Sequence, residues 1–143
     1  MKINSIEIAG YESIVANIDV VNDEIRPINY KENFSCNDRI KGGIWYMFYF
    51  DNLMVTVICH GGSYGGDYGL FEIGIRDKYT DEWLVDNPYI SSSGHGVEGW
   101  KTWNEIQRIL KRMLVDTMRK IKEENKWNKY IRLNKIIVII MLI

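Results

Sequence analysis

The chain has 143 residues, 46% of them hydrophobic, 26% charged and 13% aromatic. That composition fits one globular domain and excludes a disordered chain, while two cysteines and two histidines exclude a disulfide scaffold and a histidine-rich metal site. The formal charge of −1 hides an asymmetry: residues 1–100 carry seven basic and fifteen acidic side chains (net −8), residues 101–143 eleven basic and four acidic (net +7).

Residues 3–9 read as a short strand, with Ile6 and Ile8 alternating against Glu7, and residues 13–21 as a second, with Ile14, Ala16, Ile18 and Val20 on one face. Residues 22–43 are polar, contain Pro27 and end in Gly42-Gly43, which predicts a loop with little regular structure. Two dense apolar runs follow, Ile44–Phe50 and Leu53–Cys59, separated by the turn dipeptide Asp51-Asn52. They predict a hairpin of central strands with both faces covered. A glycine-rich connection, His60–Gly69, leads to a strand at Leu70–Arg76 with Phe71, Ile73 and Ile75 on one face. Residues 77–99 read as turns. Thr102-Trp103-Asn104-Glu105 matches a capping box, and Ile106, Ile109, Leu110, Met113, Leu114, Met118 and Ile121 then recur at helical spacing. The fold class expected is therefore α+β: an antiparallel sheet of four to five strands with one long C-terminal amphipathic helix packed on one face. Residues 1–126 form a single domain. Residues 127–143 are a basic and apolar tail ending in eight apolar residues, too short to span a bilayer and suited to burial in the fold or in a homodimer, or to a membrane surface. Met1–Asn4 shows no apolar leader segment, so a cytoplasmic location with reduced Cys36 and Cys59 is expected.

The glycine-rich segment runs from strand to strand, without the Lys and following helix of a phosphate-binding loop. It reads instead as a wide turn whose Tyr64 and Tyr68 are rigid contact anchors. Cys36, Cys59, His60 and His95 match no zinc spacing, so no metal and no cofactor are expected. A hydrolase or nuclease would have to draw on Asp67, Glu72 or His60, and no nucleophile motif accompanies them. The helix residues off the apolar stripe include Arg108, Lys111, Arg112, Arg119 and Lys122, an alternative face for nucleic acid. Trp100 and Trp103, beside the helix cap, are the tryptophans expected to be half exposed.

Ser63-Tyr64-Gly65-Gly66, then Gly69-Leu70-Phe71-Glu72-Ile73, then Val97-Glu98-Gly99-Trp100-Lys101-Thr102 and an amphipathic helix form a pattern over roughly residues 55–115. This pattern resembles small phage- and prophage-encoded accessory proteins of low-GC Gram-positive bacteria. The resemblance implies a mobile-element protein of the kind that includes anti-CRISPR and other anti-defence proteins, and it carries no catalytic residue with it. The function expected is non-enzymatic: inhibition of a host nucleic-acid-targeting defence complex by protein–protein contact. The acidic and aromatic residues expected to make that contact are Tyr64, Asp67, Tyr68, Asp77, Asp81 and Glu82.

Overall fold

The computed structural model describes residues 2–3, 18–35, 42–91 and 95–125. Eight strands and one helix make two antiparallel sheets: β1 (Lys2–Ile3), β2 (Ile18–Val21), β3 (Glu24–Pro27), β4 (Asn29–Phe34), β5 (Gly43–Phe50), β6 (Leu53–Cys59), β7 (Phe71–Asp77), β8 (Val97–Lys101) and α1 (Trp103–Asn125). The large sheet has the order β4-β5-β6-β7-β8, and the small one β1-β2-β3. The protein has the α+β architecture that its patterning implies, with the aromatic hairpin β5–β6 at the middle of the large sheet.

Pleat and register explain the core. Phe48 lies opposite Val55, and Val55 opposite Ile75; Tyr46, Val57 and Ile73 share a second row. These side chains point to one face, where Phe48, Phe50, Val55, Val57, Ile73 and Ile75 are fully buried. The helix stripe of Ile106, Leu110, Met113, Leu114 and Met118 closes over them. The capping box is made as the sequence indicates: Thr102 Oγ1 accepts the Glu105 N–H at 3.2 Å, and the Glu105 carboxylate accepts from the Thr102 N–H and hydroxyl.

The β2–β3 hairpin adds Ile18, Val20 and Ile25 to the same core. Its two-residue turn, Asn22-Asp23, is left-handed at both positions (φ 50° and 63°), which suits these residue types. Gln107, buried on α1, locks the hairpin in place: its Oε1 accepts the Ile25 N–H and its Nε2 donates to the Ile25 carbonyl, both at 2.8 Å. The side chain thus acts as one rung of a further strand beside β3.

Three expectations need correction. Residues 22–43 hold two strands, β3 and β4, rather than an irregular loop. The signal fails there because β4 is an almost fully exposed edge, polar on both faces and bulged at Asn33 (φ 52°), so no alternation marks it. Val97–Lys101 is a strand and not a turn. The third concerns the apolar hairpin, whose two faces are not equally covered. Trp45, Tyr49, Met54, Thr56 and Ile58, turned from the helix, are only half-buried. They are shielded in part by their own neighbours, with Lys31 over Trp45, Lys78 over Tyr49 and the Trp83 ring lying against Gly74. Broad side chains that cover one another allow a continuous apolar run without a second packed layer. The first predicted strand is described only at Lys2–Ile3, which pair with Asp19 and Ile18. The rest of that strand, Cys36, Lys126 and the tail at 127–143 lie outside the described residues.

Candidate functional site

The glycine-rich connection is a hydrogen-bonded structure. His60–Ser63 closes a turn, with the Ser63 N–H donating to the His60 carbonyl at 3.0 Å and Ser63 Oγ bonded to both the His60 N–H and carbonyl. Gly66–Tyr68 forms a short 3-10 turn, and the Gly65 carbonyl accepts from both the Tyr68 and Leu70 N–H groups. Glycine is required by contact at Gly66, where a Cβ would stand 1.9 Å from the His60 carbonyl oxygen. Gly65, at φ 88°, needs its missing side chain for a second reason: it sits against the Trp100 backbone.

The segment folds onto the edge strand β8. There the register slips between Phe71 and Ile73, and Trp100 takes a left-handed backbone conformation (φ 60°). For a bulky residue this costs about 1–2 kcal/mol. Two contacts hold it: the Trp100 N–H donates to the Tyr64 carbonyl at 3.2 Å, and Gly99 admits Tyr64 so closely that a Cβ would stand 2.2 Å from that of the tyrosine. Beside the bulge, Lys101 pairs with Glu98 at 2.8 Å, and Glu98 also accepts from the Ser91 N–H and hydroxyl. Burial alone would raise the Glu98 carboxyl, but these partners outweigh it and hold the group below its usual range.

The bulge turns the Trp100 ring outward onto Tyr68, with centroids 5.6 Å apart. Tyr64, Tyr68 and Trp100 stand 66%, 77% and 58% exposed, and Asp67 is exposed beside them. Three large rings are thus presented to solvent on backbone ordered before any partner arrives. That is the arrangement in which aromatic side chains contribute most to binding, because little entropy remains to be lost.

The six residues expected to form one contact surface fall into two groups. Tyr64, Asp67 and Tyr68 lie on the loop before β7, whereas Asp77, Asp81 and Glu82 lie after it, about 20 Å away along a seven-residue strand. The second group builds a turn. Asp77 accepts the N–H groups of Thr80 and Tyr79, which hold its carboxyl low, and its own N–H donates to the Glu82 carbonyl. Asp81, at φ 59°, pairs with Arg76 at 3.1 Å. The six residues therefore stand at the two ends of β7 rather than side by side, because the strand separates what the sequence places within twenty residues. Trp100 stands beside the loop group instead, its ring against Tyr68. The sequence marks it by its place beside the helix cap and by Gly99 directly before it, but not by nearness to the tyrosines.

The chain matches no family model, and no curated protein or solved structure is significantly similar to it.

The three residues that a hydrolase would use serve the loop. Glu72 Oε2 accepts the Tyr64 N–H at 2.7 Å, His60 Nδ1 accepts the Gly62 N–H at 2.9 Å, and Asp67 is the middle residue of the 3-10 turn. Among the described residues no three His, Cys, Asp or Glu side chains converge as a metal site would require. The Cys59 thiol is half-buried, pushed up by burial, and directed at the Gly66 carbonyl. No helix among the described residues is long and apolar enough to cross a membrane.

The basic helix face is committed in part within the fold. Lys111 pairs with Asp23 at 3.4 Å, and Lys120 pairs with Asp51. Arg112 stacks on Tyr89 and donates to the Pro88 carbonyl. Arg119 reaches Asp116 at 3.9 Å and stays largely exposed, as does Arg108; the side chain of Lys122 lies outside the described residues. Part of the −8 and +7 division along the sequence thus closes on itself, Asp23 and Asp51 of the first hundred residues pairing with two lysines of the helix.

Proposed function

We propose that the protein is a non-catalytic binding module that engages a protein partner through Tyr64, Tyr68 and Trp100, with Asp67 at the rim. One observation carries this: three mostly exposed rings are held on a glycine-locked loop and a strained bulge. Strain kept at an exposed tryptophan points to a use for that tryptophan. Each ring buried against a partner contributes about 1.5–3 kcal/mol, enough for a specific contact of modest area. The finer form of the proposal follows the resemblance: the partner is a nucleic-acid-targeting defence effector of a Gram-positive host, and binding blocks it. The pairing of Lys111 with Asp23 and the stacking of Arg112 on Tyr89 favour this reading over nucleic-acid binding by the helix.

The test is affinity capture from such a host, wild type beside Tyr68→Ala/Trp100→Ala, with and without nuclease. The expected result is one protein retained by wild type, insensitive to nuclease and lost with the double variant. Purified, that partner should lose target cleavage when the wild-type chain is added. Capture that survives the double variant, or that disappears with nuclease, overturns the proposal.

A further inference from the structure

A second feature lies apart from the loop platform. Between the β2–β3 hairpin, the β4–β5 edge of the large sheet and the first turn of α1 is a cavity of about 420 Å³. Its apolar wall consists of rings set at steep angles. Trp103 meets Tyr46 at 5.7 Å and 64°, and Phe71 at 5.2 Å and 48°; Tyr30 stands edge-on to Tyr46 at 6.4 Å and 71°. Its polar wall is carboxylate, from Asp19, Glu24 and Glu32.

The two glutamates are fixed at the ring edges. Glu24 Oε1 accepts the Trp103 indole N–H and Glu32 Oε1 accepts the Tyr46 hydroxyl, both at 2.8 Å. Burial and the neighbouring Glu32 push the Tyr46 phenol up to about 12, so it remains a donor and Glu32 remains anchored throughout the neutral range. Each anchored carboxylate has lone pairs left to accept further hydrogen bonds. The cation on the lining is Arg26, and it pairs with Glu24 at 3.4 Å. Among the described lining residues, Glu24 and Glu32 against the single Arg26 leave the glutamate wall net negative.

Other rings of this protein show what this wall is missing. Lys31 sits over Trp45, Arg76 over Trp83, Lys78 over Tyr49 and Arg112 over Tyr89, each between 5.2 and 5.8 Å from the ring centre. Among the described residues no side-chain cation stacks in this way on Tyr46, Phe71 or Trp103. Tilted and edge-on rings bordered by carboxylates, in a cleft open to solvent on the side of Tyr30 and Glu32, form an environment that favours an organic cation, since ring faces and acids attract the same charge.

We propose that this cavity binds an organic cation, an alkylammonium or guanidinium head seated on Tyr46, Phe71 and Trp103 with Glu24 and Glu32 as its counter-ions. The volume is within the range of small-ligand sites and admits such a head with part of its stem. The head belongs either to a free small molecule or to a basic side chain of a peptide, and the two share the same recognition chemistry.

The experiment is a titration of the full chain followed by the Trp103 indole N–H resonance, assigned with Trp103→Phe. The probes are choline, its uncharged isostere 3,3-dimethylbutan-1-ol, and N-acetyl-arginine amide. A saturable shift with either cation is expected, at least roughly fivefold tighter for choline than for its isostere if choline binds. Tighter binding of choline assigns a free alkylammonium ligand, and tighter binding of the capped arginine assigns a peptide side chain. Glu32→Gln should weaken binding severalfold while the remaining indole resonances keep their dispersion. Because Glu24→Gln also disturbs Trp103, Glu32→Gln is the deciding variant. No shift with either cation, equal binding of the isostere, or full affinity in Glu32→Gln overturns the proposal.

Discussion

Gly66→Ala is the most direct test of the loop as a built structure. The new Cβ would stand 1.9 Å from the His60 carbonyl oxygen and 2.4 Å from Ser63 Oγ. An ordinary contact lies above 3 Å, so the carbonyl must retreat by more than 1 Å. It cannot do so and still accept the Ser63 N–H and hydroxyl, now at 3.0 and 2.8 Å. Two hydrogen bonds at about 1 kcal/mol each, with the strain of moving backbone, place the cost at ~2–4 kcal/mol. Gly69→Ala is the control. Gly69 lies at φ 72° with nothing within 4 Å of its Cβ position, so that variant carries only the left-handed penalty of about 1 kcal/mol. Urea denaturation of both variants, read by tryptophan fluorescence and by circular dichroism, measures the difference. A Gly66→Ala cost no larger than that of Gly69→Ala would refute the reasoning, and with it the claim that contact rather than backbone freedom places glycine at residue 66.

Three further outcomes follow from the same geometry. Gln107→Ala leaves both polar groups of Ile25 without their partner; it should cost ~2–4 kcal/mol and raise amide exchange in β2 and β3 ahead of β5–β7, and uniform exchange would count against a separate hairpin unit. Glu98 has a carboxyl held below its ordinary 4.5, so its contribution is complete above that value and disappears as the pH falls through the lower folded value. Glu98→Gln should therefore flatten the loss of stability below pH 4.5, and an unchanged acid limb in thermal melts would contradict this. Arg108→Glu with Arg119→Glu changes two exposed positions and should alter stability by less than about 1 kcal/mol. It should also leave partner capture intact, and loss of capture would move the contact surface to the helix.

Much of the fold is legible from residue spacing because the signals are local. The capping box names its own atoms, the stripe from Ile106 to Met118 requires a partner layer, and Asp51-Asn52 between two apolar runs sets the register Phe50↔Leu53. Edge strands escape this reading: β4 has no buried face to leave a pattern, and β8 is broken by its own bulge. The candidate site is legible by half. Tyr64 and Tyr68 stand out beside their glycines, but their third companion comes from a strand thirty residues later.

What the sequence determines alone is what strong local patterning marks: the strands β5, β6 and β7, the helix and its start, the α+β class, the presence of a special loop. Three matters are decided only by tertiary structure. Trp100 joins Tyr64 and Tyr68 because β8 pairs with β7 out of register. Asp77, Asp81 and Glu82 are separated from the loop because a strand intervenes. Two pairs of opposite charges from the two halves meet, Asp23 with Lys111 and Asp51 with Lys120, across the fold. Each is a contact between residues far apart in the chain, set by how layers pack, and no local pattern of residues encodes that distance.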